Sequence, residues 1–248
     1  MIKNMLRGIK AYFGAATLIF KLKLWKYFRI PMLVSLITAI FIASLSYGLS
    51  DDIGSYISDF WKWEFGKETI AFISSFIGGL VVFFIGLILY KHIVMALSAP
   101  FMSPVSEKIE VYLRGEKHKH RNTSFQEQLI RGGRISVRNL VRELVITIPI
   151  LLLGLIPVVG VFATIALFLI QAYYAGFGNM DYTLERHFKY KESINFVRKN
   201  KGLAIGNGIV FILFLLIPFI GVILVLPLSV TAATVETIKR IELEENYR

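Results

Sequence analysis

Two long apolar stretches in the second half of this chain are broken at the same depth by the same pattern. Ile156-Pro157-Val158-Val159-Gly160 lies within residues 144–178, and Ile217-Pro218-Phe219-Ile220-Gly221 lies within residues 203–233. Proline removes a backbone donor and glycine tolerates a left-handed conformation. Each stretch is therefore expected to fold at its middle, with turns at Pro157 and Gly160 and at Pro218 and Gly221. The stretches match at an offset of 61 residues, with Ile148 on Ile209, Leu155 on Leu216 and Gly160 on Gly221. A repeat of this kind recurs in transporters.

Arm length limits what the stretches can do. Leu144 to Ile156 gives about 20 Å of helix and Leu203 to Ile217 about 22 Å, at 1.5 Å per residue. A hydrocarbon core is about 30 Å thick. The competing reading is one long span per stretch, kinked at proline. Loop charge favours hairpins. Residues 91–143 carry ten Lys/Arg against five acids, and residues 179–202 carry six against three. Cationic loops stay on the cytoplasmic side, so one crossing per stretch would put residues 179–202 on the wrong side. Two re-entrant hairpins, 144–178 and 203–233, keep both loops inside; two full crossings per stretch would also do so, but the arms are short for that. A turn at mid-membrane depth needs protein or a water-filled cavity around its backbone, which implies partner subunits, and thus a homo-oligomer.

Composition agrees with a membrane protein. The chain is 55% hydrophobic and 18% charged, with a mean hydropathy of +0.62. It has no cysteine, which excludes disulfides and thiol chemistry. The net charge of +11 flanks apolar spans and accompanies no nucleic-acid motif, so nucleic acid is not an expected partner. Residues 1–29 carry seven Lys/Arg and no acid. Ile2, Met5, Leu6, Ile9, Phe13, Ala16 and Phe20 fall at helical spacing with Lys3, Arg7 and Lys10 on another face. This predicts a basic helix lying in the membrane interface or packed on the protein. A first span follows over 30–49 and reads as uncleaved.

Residues 50–69 are acidic and form the expected outer loop, with Trp61 and Trp63 as interfacial anchors. The second span covers 70–97, where Gly78, Gly79 and Gly86 allow close helix contact. Residues 98–143 read as a cytoplasmic helical region. There Ser98–Pro104 is expected to break the helix, Val105 to Leu113 to form a short amphipathic one, and Gly115 to Thr123 to form a polar turn. Ser124-Phe-Gln-Glu127 is a capping box. On the helix it opens, Arg131, Arg134, Arg138 and Arg142 make one basic stripe, either facing solvent and anionic headgroups or lining an anion-gathering vestibule. Both termini are expected in the cytoplasm.

The chemistry-bearing motifs of enzymes are missing. No phosphate-cradling Gly-rich loop exists, and His92, His118, His120 and His187 lack the company a metal site needs. No catalytic residue, metal or cofactor is assigned. No acid or base sits deep in an apolar stretch, which speaks against a proton relay. Gln171 and Asn207 are expected to make interhelical hydrogen bonds. An anion pathway needs only basic residues and helix N-termini.

Several markers recur in a known order. They are the aromatic and basic stretch ending in Ile30-Pro31-Met32-Leu33-Val34, then Ser98-Ala99-Pro100-Phe101 with Ser106-Glu107-Lys108, then Ile156-Pro157-Val158-Val159-Gly160. Met180-Asp181-Tyr182 with Arg186, Gly206-Asn207-Gly208, Ile217-Pro218 and Pro227 through Ala232-Ala233-Thr234 follow. In this the chain resembles the CysZ-type sulfate permease family, which shares its domain with the etoposide-induced membrane proteins. The resemblance covers residues 5–240. It implies an all-helical protein of the bacterial inner membrane with two full transmembrane helices and two half-membrane hairpins. It also implies sulfate uptake for cysteine synthesis. The family's anion stretch, Gly-Leu-Arg-Arg, falls on Lys23-Leu24-Trp25-Lys26. Lys26 and Arg29, with Lys23 next, are the expected anion contacts; snorkelling at the headgroup boundary is the rival role for these cations. The rival function is a structural or lipid-organising membrane protein that keeps the fold without transport.

Overall fold

The amphipathic spacing of the first residues forms helix α1, Ile2–Lys21, which packs Ala15 and Ile19 inward and leaves Phe13 and Phe20 exposed. The computed structural model describes residues 1–59, 67–115, 123–154, 156, 158–217 and 220–246. The described residues are helical throughout, joined by short turns: α2 (Trp25–Gly48), α3 (Ser50–Ser58), α4 (Lys67–Arg114), α5 (Phe125–Leu153), α6 (Val159–His187), α7 (Tyr190–Lys199), α8 (Lys201–Leu215) and α9 (Ile220–Asn246). Trp61, Trp63, His118, His120, Pro157 and Pro218 lie outside the described residues.

Among the described residues three segments are long and apolar enough to cross a membrane: Trp25–Gly48, Ile85–Arg114 and Val159–His187. Helix α2 adds a second sign of a lipid environment. Its outer face carries Leu33, Ile37, Ile40 and Phe41, each more than half exposed, while Ser35, Thr38 and Ser46 are buried against the protein. Water would drive the opposite arrangement. Ser46 Oγ donates to Ile42 O at 2.9 Å within its own helix.

Helix α4 corrects the expected break at Ser98–Pro104, because it runs unbroken through Pro100 and Pro104. Around these prolines the helix is tied to α6: Arg186 Nη1 donates to Ser103 O at 2.9 Å, and Ser106 Oγ lies 3.1 Å from Ser103 O and 3.0 Å from Tyr182 O. Residues 105–113 belong to this one helix. The glycines of its first half work as expected: Gly78 meets the α3 backbone at Gly54, and Gly86 meets Ile42 of α2.

Both apolar stretches reverse direction and pack their arms together, α5 on α6 and α8 on α9. The capping box opens α5 as expected, with Ser124 Oγ accepting from Glu127 N and Glu127 Oε2 accepting from Ser124 N. The glycine role differs from expectation. The left-handed residue is Val158, at φ 71, whereas Gly160 is helical. A Cβ at Gly160 would stand 2.7 Å from Gly154 O, and one at Gly221 would stand 1.8 Å from Phe214 O. These glycines let the outgoing helix start hard against the incoming one.

Helix α8 is clamped between α1 and α6. Gly202 and Gly206 face the Met1 and Met5 carbonyls of α1, while Gly208 faces Ala172 O and Gly176 faces Ala204 O across the α6 contact. At the centre of this clamp, Asn207 Nδ2 donates to Ser229 O at 3.0 Å and its Oδ1 accepts from Asn179 Nδ2 at 2.8 Å. Tyr12 OH reaches Asn207 O at 2.8 Å. The interhelical role expected of Asn207 is thus met by four helices at once.

Candidate functional site: a lysine cluster above a buried ionic interior

The aromatic and basic stretch folds into the α1–α2 junction. Leu24 N bonds back to Ile19 O at 2.9 Å, and Lys23 takes φ 52, a left-handed turn that reverses the chain. Lys23, Lys26 and Arg29 are all exposed. Lys26 Nζ sits 5.1 Å from the centroid of the Tyr27 ring. A second ammonium, Lys108 Nζ from α4, sits 5.7 Å from the same ring. Lys21 Nζ donates to Tyr112 OH at 2.6 Å and lies 4.7 Å from that ring's centroid. Between these groups is a cleft of about 490 Å³ lined by Leu22, Tyr27, Pro104, Glu107, Lys108, Val111 and Tyr112. Lys26 and Lys108 thus share the Tyr27 ring, and Lys21 and Lys108 were not assigned from the sequence. Of these cations only Lys108 lines the cleft; Lys21, Lys23, Lys26 and Arg29 do not.

The arginine stripe on α5 is divided by the fold. Arg131 Nη2 and Nε reach the two Asp181 oxygens at 3.0 and 3.3 Å, and Arg131 also donates to Ser193 Oγ and Phe188 O. Arg134 stacks on Tyr190 at 4.1 Å and Arg138 on Phe177 at 5.1 Å. Burial, and then the neighbouring charge of Arg142, push the Arg138 guanidinium below its ordinary value. Only Arg142 of the four keeps a freely exposed position without a partner among the described residues. The stripe is mostly an inter-helix fastening, neither a uniform solvent face nor an open vestibule.

Beneath lies an ionic interior. Helix α6 changes character along its length: Val161, Phe162 and Ile165 are exposed, yet Asn179, Asp181, Thr183, Glu185 and Arg186 are buried. Arg186 Nη2 reaches Glu110 Oε2 at 2.8 Å, and His187 Nε2 lies 2.9 Å from Glu110 Oε1. Arg114 adds Glu242 at 3.3 Å and Glu245. A separate triad joins α4 to α5: Lys91 Nζ is 2.5 Å from Glu143 Oε1 and His92 Nε2 is 3.0 Å from Glu143 Oε2, all three buried.

A family model described as sulfate transporter CysZ/etoposide-induced protein 2.4 matches residues 11–226. The chain belongs to this family. It is a helical membrane protein of a transporter family. A search of curated proteins returns no match.

In this CysZ-type chain Lys23, on which the resemblance is expected to place the glycine of the anion stretch, is left-handed, a conformation that glycine takes without a side-chain penalty. The cation cluster was only half visible in sequence. Lys26 lies in the aromatic and basic stretch, whereas Lys108 is 82 positions away and reaches Tyr27 only through packing of α4. The Lys91–His92–Glu143 triad escaped because its members lie about 50 positions apart, Lys91 and His92 in the last turns of the expected second span and Glu143 just before the apolar stretch that starts at Leu144. Among the described residues no group of His, Cys, Asp and Glu suited to a metal ion occurs.

Proposed function

We propose that this chain is an inner-membrane permease for sulfate, supplying cysteine synthesis without nucleotide hydrolysis, with Lys26, Arg29 and Lys23 gathering the anion. The observation that carries the reading is the convergence of lysines on the α1–α2 junction in a chain of this family. Lysine offers a tetrahedral oxyanion a compact charge with rotatable donors. Residues 144–178 and 203–233 act as re-entrant hairpins entering from the cytoplasmic side. In support, the apolar parts of three arms (144–153, 203–215 and 220–233) give only about 15, 20 and 21 Å of helix. The tip of the first hairpin carries exposed Leu151, Leu152, Leu153, Val158, Val161 and Phe162, a surface that lipid and identical subunits cover.

Uptake of radiolabelled sulfate into proteoliposomes tests the transport reading. Uptake above empty vesicles is expected; its absence with correctly inserted protein sinks the permease. A Lys26→Ala, Arg29→Ala double variant is expected to lose uptake. For topology, single cysteines placed at Ser55 and Lys189 of this cysteine-free chain are expected to label from opposite sides of the membrane. Labelling from one side refutes the hairpin arrangement.

A further inference from the structure

We propose that the arms of the first hairpin and the end of α7 hold one anionic phospholipid of the cytoplasmic leaflet. Its phosphate sits among Arg138, Arg142 and Arg198 beside Tyr173, and its acyl chains run down the apolar side of α5. The inference rests on the reading of residues 144–178 as a hairpin and is independent of what the protein transports.

Three elements bring the cations together. Arg138 and Arg142 are one turn apart on α5 and so share a face. Arg198 lies in the last turn of α7. The charges of all three reach Tyr173 of α6. Tyr173 in turn meets Phe177 edge-on at 6.2 Å, and Phe177 carries the Arg138 guanidinium on its ring. Arg142 and Arg198 are exposed, and among the described residues neither forms an ion pair with a carboxylate. Glu143, next to Arg142 in the chain, is turned inward and held by Lys91 and His92. Like charges one turn apart repel each other, and a phosphate between them removes that repulsion.

The cluster also stands at the right depth. Arg142 precedes the end of α5 by 11 residues, and Tyr173 follows the start of α6 by 14. At 1.5 Å per residue they lie about 17 and 21 Å from the turn of the hairpin. Half a bilayer with its headgroups measures about 20–22 Å. A turn at the midplane therefore puts the arginines and Tyr173 at headgroup level. Below Arg142 on the same side of α5 come Val145 and Ile146, and three turns down Leu153, all exposed. Cations over a bare apolar strip match a molecule with both a phosphate and acyl chains. A free oxyanion would use only the cations, and a second copy docking through this face would bring the same arginines and add repulsion.

The test uses the full chain in nanodiscs of phosphatidylcholine with a minor fraction of phosphatidylglycerol. A single cysteine at the exposed Ile148 of this cysteine-free chain carries a fluorophore, and bromine on the acyl chains of one lipid at a time quenches it. Phosphatidylglycerol is expected to be enriched beside the probe more than about tenfold over its share of the bilayer, on a scale of about fivefold per arginine. Arg142→Gln and Arg198→Gln replace exposed side chains, so helicity is expected to persist by circular dichroism. Each is expected to lower the enrichment about fivefold. Lys239→Gln, an exposed cation on α9, serves as control and leaves it unchanged. Quenching in proportion to each lipid's share, or enrichment indifferent to both arginine variants, overturns the site. Quenching by neither lipid means that protein covers this face, and displacement by sulfate beyond that by chloride at matched ionic strength means that the cluster takes free oxyanions; either result also overturns the lipid assignment. Cysteine labelling at Ser55 and Lys189 separates this inference from the reading beneath it. Labelling from one side rejects the hairpin, whereas labelling from opposite sides without phosphatidylglycerol enrichment keeps the hairpin and rejects the lipid site.

Discussion

Removing Glu143 is expected to be the most damaging single change in the α4–α5 contact, and removing it together with Lys91 far less so. Lys91 and Glu143 are buried with their charged atoms 2.5 Å apart, and His92 holds the second carboxylate oxygen at 3.0 Å. At that separation the attraction is about 6–7 kcal/mol at an effective dielectric of 20, and desolvation of both ions offsets most of it. The pair as a whole therefore adds little net stability, yet either ion alone is stranded. Glu143→Met leaves a buried ammonium without its acceptor and is expected to cost about 3–5 kcal/mol. In a chain of this size that lowers Tm by about 6–20 °C. Lys91→Met leaves the carboxylate in the company of His92 and is expected to cost less. Lys91→Met with Glu143→Met fills similar volume with apolar groups and is expected to return close to the wild-type Tm. Thermal unfolding of the purified protein in detergent, followed by tryptophan fluorescence, reads all four proteins. A double variant less stable than either single one, or a Glu143→Met protein with unchanged Tm, refutes the reasoning.

Gly208→Leu places side-chain atoms where even a Cβ would lie 1.7 Å from Ala172 O, so α8 must move off α6. A loss of at least about 1–3 kcal/mol is expected, seen as lower Tm and poor recovery of monodisperse protein. Gly14→Ala, at a helical glycine with nothing within 4 Å, is expected to stabilise by about 0.5–1 kcal/mol in the same assay. Asn207→Leu leaves the Asn179 amide without its acceptor and removes the second donor from Ser229 O, whose helical bond persists; a loss of about 1–3 kcal/mol for the stranded Asn179 amide is expected by the same melt. Ser124→Ala removes one half of the α5 capping box, at an expected cost of about 1 kcal/mol and with faster hydrogen exchange confined to residues 125–128.

Features that depend on neighbouring residues were legible in the sequence. The capping box at Ser124 and Glu127, the reversal of both apolar stretches and the basic amphipathic first helix all follow from local spacing. The helix through Pro100 and Pro104 was not legible, because the contacts around it come from far along the chain: Arg186, which donates to Ser103 O, lies 83 positions downstream. The arginine stripe was read correctly as a stripe and wrongly as one surface. Periodicity tells which residues share a face, but nothing in it says that Asp181, Tyr190 and Phe177 engage three of the four. The candidate anion cluster failed for a related reason. Lys26 stands out in a run of aromatic and basic residues, whereas Lys108 looks like any charge on an amphipathic helix until α4 brings it to Tyr27.

The clamp of α8 between α1 and α6 has a consequence for how the protein is made. Tyr12 and its partner Asn207 are 195 positions apart. At roughly 5–20 residues per second of synthesis, α1 waits about 10–40 s before its binding groove exists. During that interval its apolar stripe has no protein surface to cover it, and its Lys3, Arg7 and Lys10 give it a way to rest on the anionic lipid surface meanwhile. The beginning of the chain is thus completed by its last helices, and a ribosome that stalls before α8 emerges releases a product whose first helix has no seat.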